Sequence, residues 1–332
     1  MARFSGRNKG RARVPYTFLV GLSLILTAEI LLIMDVSARG GAIVPYDPLP
    51  PSEGGWLHVA RFVALSLTPL CWIGALLVLD GLLQALTRRK AQNSSPKQPS
   101  TRQRPRRFAL CVMSSVPIWL FFDWVNFSFL GAWDYHGLPE SFLHRNAAYL
   151  FSFAAICPAM FLFAEVYQRF GLRALDGPTV RIAPAAQSAL VLLGAVCLAF
   201  PFIVQSPLGT LTLWFGWLFF LDPINERFGA PSLLRDLRNG WWDRVASLMI
   251  SGMTCGLLWE FWNYWATAKW TYDLPFLGSL EEFRYFEMPV LGMFGFPFFA
   301  LECWVMFQTV VLAVEKLTSS EVEPLPSRAA LL

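Results

Sequence analysis

The sequence predicts an all-α, polytopic integral membrane protein of about eight transmembrane helices, arranged as two tandem four-helix repeats in parallel orientation. Hydrophobic residues make up 55% of the 332-residue chain, charged residues make up 15%, and the mean hydropathy is +0.46. A soluble domain usually carries about 25% charged residues. Eight segments approach the roughly 20 apolar residues that a helix needs to cross a bilayer. A set of polar and aromatic residues recurs in two of them, which predicts the duplication.

The predicted spanning segments differ in length. The sixth segment is short, and the second is long enough to be strongly tilted, or kinked at Pro69. Uneven and interrupted hydrophobic segments are typical of helix bundles that enclose a cavity. The predicted segments are Pro15–Met34, Trp56–Leu86, Phe108–Leu130, Ala147–Tyr167, Pro184–Val204, Leu208–Leu221, Val245–Trp265 and Met288–Val314.

Positive charge predicts the orientation. The first fourteen residues hold five basic residues, the loop Thr87–Arg107 holds eight, and neither stretch holds an acid. Cytoplasmic loops collect Lys and Arg, so we expect both stretches, and after eight crossings both termini, on the cytoplasmic side of a bacterial inner membrane. The basic stretches are interpreted as contacts for anionic lipid headgroups and not for nucleic acid. The predicted units are a basic arm (1–14), a first repeat (15–168, with basic loop 87–107), a second repeat (184–314) and a cytoplasmic tail (315–332).

Cysteine and histidine usage argues against several kinds of site. Six cysteines all fall inside predicted helices and are spaced too widely for a CxxC motif, so they are interpreted as packing residues. The three histidines form no His-x3-His or His-x-x-His pair. The chain also shows no Gly-rich phosphate loop, no Asp cluster and no Ser–His pair. We therefore expect neither a metal nor a cofactor, and transferases that use nucleotide or diphosphate donors are disfavoured.

Two stretches carry the same polar residues at a constant offset of 137 positions. Between Arg107–Tyr135 and Arg244–Tyr272, seven of 29 positions are identical. Acids and amides are rare in spanning helices because their burial is costly. The matched acids and amides are therefore stronger evidence for a duplication than the number of identical positions. Coincidence between aromatic-rich helices is the alternative. The matched pairs are Asp123/Glu260, Asn126/Asn263, Trp133/Trp270, Tyr135/Tyr272 and, further along, Glu165/Glu302; Trp72, Gly74 and Asp80 also match Trp214, Gly216 and Asp222 at an offset of 142.

The duplicated acids are the candidate catalytic groups. Asp123 and Asn126 are three positions apart, as are Glu260 and Asn263, so each acid shares a helix face with an amide. A carboxyl group buried in hydrocarbon is suited to hold a proton at neutral pH and to act as a general acid. We expect Glu260 to be the acid and Asn263 to orient it. Glu302, with the Asp123 and Asn126 pair, is expected to complete the same cavity.

Aromatic residues are dense around the second acid. Desolvated Trp faces stabilise cations by roughly 1–2 kcal/mol each, so an acid among indoles suits protonation of a polyene and stabilisation of the resulting carbocation. An interfacial aromatic belt would produce the same composition. The candidate substrate-binding residues are Trp259, Trp262, Trp265, Trp270, Tyr272 and Glu287.

The order of a carboxylate, a tryptophan and a Pro/Glu segment across short aromatic helices resembles the membrane-embedded carotenoid cyclases of the lycopene type. The residues that carry the resemblance are Glu260, Trp270, Glu287, Pro289 and Glu302. It covers at most the third and fourth and the seventh and eighth predicted helices. The chain differs from that family in having four helices per copy and no Pro-x-Glu-Glu run in the eighth. The resemblance implies isoprenoid chemistry.

Three classes of function follow from these patterns. The first is a membrane enzyme that acts on a lipid or isoprenoid ligand by acid–base chemistry. The second is a proton-coupled transporter or lipid carrier, because paired halves with buried acids suit alternating access. The third is a structural or assembly subunit whose acids bridge helices. The oligomeric state is left open.

Overall fold

The computed structural model is 76% helical and contains, besides helices, two short antiparallel sheets of two strands each. It describes residues 14–41, 54–92, 104–319, 321–322, 325 and 330–332. Nearly all of the predicted basic arm and most of the basic loop between residues 87 and 107 lie outside the described residues.

The helices coincide with the predicted hydrophobic segments, except that the second and the eighth segment each contain two helices and the eighth begins with the two-residue strand Met288–Pro289. A π-helical turn (126–130) extends the fourth helix, another (168–172) extends the fifth, and a 3-10 segment (275–282) precedes the second small sheet. The helices are α1 (Tyr16–Ala38), α2 (Trp56–Leu65), α3 (Leu67–Gln92), α4 (Pro105–Val125), α5 (Phe142–Tyr167), α6 (Pro184–Ile203), α7 (Gly209–Arg227), α8 (Leu233–Arg238), α9 (Asp243–Trp265), α10 (Val290–Met293) and α11 (Gly295–Thr318), and the strands are β1 (Trp133–His136), β2 (Lys269–Tyr272), β3 (Arg284–Tyr285) and β4 (Met288–Pro289).

Among the described residues, seven helical segments are long and apolar enough to span a membrane. They correspond to seven of the eight predicted segments. The helix of the remaining segment, α7, ends in a charged stretch that includes Asp222 and Glu226 and is not one of the seven. The chain is therefore all-α and multi-pass, while the count of eight crossings stays a prediction.

The long second segment is two helices. The chain breaks at Ser66, whose φ and ψ of −109° and 19° leave the helical region. Pro69 lies in the first turn of α3, where a missing N–H costs nothing because it would have no acceptor in the helix. The break therefore precedes the proline at which a kink was predicted.

Glycines bring the peripheral helices into close contact with their neighbours. Helix α1 packs on α3 and α6 packs on α7. A Cβ added to Gly21 would lie 2.4 Å from the carbonyl oxygen of Gly74, and one added to Gly194 would lie 2.8 Å from that of Gly216. Small residues let backbones approach in this way in membrane bundles. The sequence pattern had marked only Gly74 and Gly216.

Buried polar contacts tie α1 to the rest of the bundle. Asp35 is fully buried and accepts hydrogen bonds from Arg39 (3.0 Å) and Arg61 (2.5 Å), which joins α1 to α2. Glu29 accepts a hydrogen bond from the indole N–H of Trp262 on α9 at 3.1 Å. These contacts compensate charges whose burial would otherwise be costly.

The strands β1 and β2 form a short ribbon between the two halves of the chain. Each strand follows a long helix, α4 or α9, after a few residues. The ribbon is antiparallel, and its register pairs Trp133 with Tyr272 and Tyr135 with Trp270. The matched residues Trp133 and Trp270 therefore occupy equivalent positions on opposite strands, and so do Tyr135 and Tyr272.

The close approach of α6 and α7 predicts a strong effect of Gly194→Val. A Cβ at this position would lie 2.5 Å from the backbone nitrogen of Phe220, and backbone cannot move aside as a side chain can. We expect the free energy of unfolding to fall by about 1–3 kcal/mol through overpacking. Thermal denaturation in detergent, followed by size-exclusion chromatography, measures it. The control is Ala195→Val on the exposed side of the same helix, and equal melting temperatures for both variants would contradict the packing.

Candidate functional site

The first carboxylate cluster joins the end of α4 to β1. Asp123 is 9% exposed and accepts hydrogen bonds from the indole N–H of Trp133 (3.1 Å) and the hydroxyl of Tyr135 (3.0 Å). The second oxygen of Asp123 also lies within 3.2 Å of that hydroxyl. The structure thus brings together three of the residues that the sequence pattern had grouped.

The second cluster joins the end of α9 to β2. Glu260 is fully buried and accepts a hydrogen bond from the hydroxyl of Tyr272 at 2.9 Å. The indole N–H of Trp270 donates to the oxygen of that hydroxyl at 2.7 Å. Both clusters therefore place a tyrosine hydroxyl directly against the acid.

The two asparagines hold the strands. Asn126 accepts from the backbone N–H of Ala132 (2.8 Å) and donates to the carbonyl of Trp133 (2.7 Å). Asn263 accepts from the N–H of Trp270 (2.9 Å) and donates to its carbonyl (2.7 Å). An amide fits because it is both donor and acceptor. Asn263 therefore contacts the strand that carries the tyrosine, and its expected role in orienting Glu260 stays a prediction.

The two clusters differ in which tryptophan donates a hydrogen bond to the tyrosine hydroxyl. Trp119, one helical turn before Asp123, donates its indole N–H to the hydroxyl of Tyr135 at 3.2 Å. The matched position in the second half is Gly256, and the ring of Phe296 fills that space, since a Cβ on Gly256 would lie 2.4 Å from it. In the second half Trp270 supplies the donor to the tyrosine instead.

A cavity lies between the two clusters. Tyr135 and Tyr272 line it, whereas Asp123 and Glu260 lie behind them, one hydrogen bond away. Its wall is mostly aromatic and aliphatic. The lining residues are Leu65, Thr68, Pro69, Trp119, Phe122, Trp133, Tyr135, Leu138, Pro139, Arg145, Ala148, Tyr149, Ser152, Phe153, Ile156, Trp214, Trp259, Ala268, Lys269, Trp270, Tyr272, Met288, Phe296 and Phe299.

Trp119 is at the centre of the aromatic wall. Its ring centroid lies 6.0 Å from that of Trp133, 6.2 Å from Trp259 and 5.9 Å from Phe299. Indole and phenyl faces attract a cation that is held in a desolvated site. Sequence reasoning missed Trp119, although its position four residues before Asp123 places it on the same helix face.

One mouth of the cavity carries cationic side chains. Arg145 and Lys269 both line the cavity. The ammonium group of Lys269 contacts Glu287 at 2.9 Å and lies 5.2 Å from the ring centroid of Tyr264. Glu287 does not line the cavity, so its part in the site is to fix Lys269.

Three of the predicted site residues lie away from the cavity. Trp262 packs against Trp72 at 5.2 Å between ring centroids, and Trp265 packs edge-on against Tyr264 at 5.2 Å. Glu302 is fully buried, and neither of its oxygens has a hydrogen-bond partner in the described part of the chain. Trp262 and Trp265 lie on α9 at positions that do not face the cavity, and Glu302 lies on α11 one helical turn beyond the lining residue Phe299.

The pKa values of both tyrosine hydroxyls are raised by their surroundings. Burial, followed by the nearby Asp123 carboxylate, raises the pKa of Tyr135 well above its usual value. Burial and the nearby Glu260 raise the pKa of Tyr272 in the same direction. Each phenol therefore keeps a proton that it can pass on, as long as the acid behind it replaces that proton.

Among the described residues, no group of three or more His, Cys, Asp or Glu side chains is placed to hold a metal ion. Comparisons of the chain with protein-family models, with curated proteins and with solved structures give no match. The fold and the site therefore define the protein as a multi-pass α-helical membrane protein with an aromatic cavity between two buried carboxyl groups.

The asparagine contacts predict the effect of Asn263→Asp. The substitution keeps the shape of the side chain but removes the donor to the carbonyl of Trp270. An unpaired buried carbonyl costs about 1–3 kcal/mol. We expect faster hydrogen–deuterium exchange in β2 and in its partner β1, measured by mass spectrometry. Asn146→Asp is the matched control, because it removes the same kind of bond, to Phe142, at an exposed position; equal exchange in both variants would contradict the proposed contact.

Proposed function

We propose that this protein is a membrane enzyme that acts on a lipid or isoprenoid substrate by acid–base chemistry. One observation carries the proposal: two tyrosine hydroxyls connect two buried carboxyl groups to one aromatic cavity. Such an arrangement delivers a proton to an apolar ligand, and removes one, without exposing an ionised group to the ligand.

The proton path that we propose starts at Glu260. For this step the Tyr272 hydroxyl turns its proton towards the substrate, and protonated Glu260 donates to the phenol oxygen across the same 2.9 Å contact. The phenol gives its proton to a carbon–carbon double bond of the substrate and takes up the proton of Glu260. The substrate becomes a carbocation and Glu260 a carboxylate. Loss of a proton from a neighbouring carbon to Tyr135, with transfer of the Tyr135 proton to Asp123, restores a double bond. One proton enters the substrate and one leaves, so the reaction is an isomerisation or a cyclisation.

The direction of transfer follows from the two clusters. Asp123 accepts hydrogen bonds from two side chains, Trp133 and Tyr135, and such bonds stabilise a carboxylate. Glu260 accepts one from Tyr272, while Trp270 donates to that same hydroxyl. We therefore assign donation of the proton to the Glu260 cluster and acceptance to the Asp123 cluster.

The aromatic wall supports a cationic intermediate. Trp119 and Trp259 face each other nearly parallel, with centroids 6.2 Å apart and planes at 27°. Phe299 packs edge-on against Trp119 with planes at 76°. In a dry site, each favourably placed indole contributes about 2 kcal/mol to cation binding. This wall is consistent with the isoprenoid chemistry that the resemblance to carotenoid cyclases implies.

We also propose that the two halves are copies of one four-helix unit. Three features support the duplication beside the sequence offset. The register of β1 and β2 exchanges matched residues, Asn126 and Asn263 bind their strands in the same way, and glycine contacts bring α1 to α3 and α6 to α7. In this scheme α7 is the sixth of eight crossings, and an even number of crossings leaves both termini in the cytoplasm of a bacterium.

The proposed orientation predicts opposite results for two reporter fusions in a bacterial host. Alkaline phosphatase is active only outside the cytoplasm, so a fusion after Gly137, between β1 and α5, should be active. A fusion after Asp176, which follows α5, should be inactive. The reason is that the basic stretches 1–14 and 87–107 favour the cytoplasmic side, which is opposite to the side of Gly137 in the proposed orientation. The reverse pattern, at equal protein levels, would contradict the orientation.

The enzyme proposal predicts a changed lipid profile. Loss of a general acid usually costs 10²–10⁴-fold in rate, so Glu260→Gln and Tyr272→Phe should each fail to restore the product that a deletion strain lacks. Mass spectrometry of total membrane lipids and pigments measures the precursor and the product, with protein levels matched by blotting.

Two control variants separate chemistry from folding. Glu282→Gln makes the same change as Glu260→Gln at an exposed position. Tyr264→Phe removes a hydroxyl that makes no hydrogen bond among the described contacts, and both controls should restore the product. An unchanged lipid profile in every strain would contradict the enzyme. Proton-coupled flux in proteoliposomes would then support the transporter hypothesis. Absence of such flux would support the hypothesis of a structural subunit.

A further inference from the structure

One face of α5 lines the cavity along its whole depth. Arg145 lies at one end of this face and Ile156 at the other, eleven residues further along. At 1.5 Å per residue the face is about 16 Å long. The residues between them that line the cavity recur at intervals of three or four, as one helix face requires: Ala148, Tyr149, Ser152 and Phe153.

The polarity of the cavity changes along this face. The deep end, around Ile156, Phe122 and Phe299, is apolar. The shallow end carries Arg145 and Lys269. The cavity therefore has a hydrocarbon-like floor and a cationic mouth.

Arg145 is the cation that is available to a ligand. Lys269 already contacts Glu287 at 2.9 Å. Arg145 makes no side-chain hydrogen bond or ion pair within the described part of the chain, and it lines the cavity about one helical turn before Tyr149. A guanidinium binds a carboxylate or phosphate with two parallel hydrogen bonds.

We propose that the ligand of this cavity is an anionic amphiphile, a single prenyl or acyl chain that ends in a carboxylate or a phosphate. Its anionic group binds Arg145 at the mouth, and its chain extends along α5 to the floor at Phe299. This inference rests on the proposed function for the chemistry of the site and names its substrate class. A neutral hydrocarbon would leave the guanidinium without a partner on the path of entry.

The placement of the proton donor agrees with this ligand. Tyr272 lines the same cavity as Arg145. When the anionic end is fixed at the mouth, a double bond further along the chain is presented to Tyr272 at a defined distance from that end. Fixing one end of a flexible substrate is a recognised source of orientation in catalysis.

Competition between matched ligands tests the proposal. The purified full-length protein in detergent is mixed with dodecanoic acid and dodecanol, or with farnesyl phosphate and farnesol, at equal concentrations. Native mass spectrometry gives the bound ratio of each pair. We expect the anion to be preferred by about tenfold or more, since hydrogen bonds between charged groups contribute that much. The two pairs distinguish a carboxylate from a phosphate as the preferred anionic group.

Variants test whether Arg145 is the origin of the preference for the anionic ligand. Arg145→Gln should reduce the preference to below about threefold while alcohols still bind, and Arg145→Lys should retain part of it. Arg284→Gln is the control, because Arg284 pairs with Glu281 outside the cavity. A terminally brominated dodecanoic acid should quench tryptophan fluorescence, since five tryptophans line the cavity.

Equal binding of anion and alcohol by the unaltered protein would overturn the proposal, and that measurement needs no variant. Equal loss of preference in Arg284→Gln and Arg145→Gln would overturn it as well. The outcome is separate from that of the enzyme proposal. Anion preference with an unchanged lipid profile would support the site and contradict the enzyme, whereas a changed lipid profile without anion preference would contradict only the ligand class.

Discussion

The site depends on the hydrogen bonds by which two asparagines hold two strands. Asn126 and Asn263 lie where α4 and α9 end, and each binds the backbone of the strand that follows. Helix ends leave backbone groups that need partners, and in a membrane such partners must come from the protein. With the strands fixed, the hydroxyls of Tyr135 and Tyr272 contact Asp123 and Glu260. Each acid lies about one helical turn before the asparagine of the same helix. The β1–β2 ladder and the hydrogen bond from Trp133 to Asp123 complete the placement of the strands.

Much of the site could be predicted because polar residues in a membrane are few and constrained. The offset that pairs Asp123 with Glu260 predicted two equivalent clusters, and the tyrosines matched at the same offset contact those acids. The role of the asparagines could not be read from sequence. Spacing on a helix places Asn263 beside Glu260 but does not show that the backbone of Trp270 competes for the same amide.

Other parts of the site depend on contacts across the bundle, which spacing does not encode. Trp259, Trp262 and Trp265 all lie within five residues of Glu260, yet only Trp259 lines the cavity, because successive positions on a helix point in different directions. Trp119 lies in the other half, and its position between Trp133 and Trp259 becomes evident only when α4 and α9 are placed together. Seven of the eight predicted spanning segments were easier to predict, because length and hydropathy are local properties.

The position of Glu302 favours an enzyme over a transporter. A proton-coupled carrier needs polar groups along a path that reaches both faces of the membrane. Glu302 lies one helical turn beyond Phe299, which lines the cavity, is 2% exposed and packs against Trp119, Phe122 and Trp214. Tightly packed rings therefore separate Glu302 from the tyrosines. A cavity that is polar at one mouth and closed at its floor suits a ligand that enters, reacts and leaves by the same route.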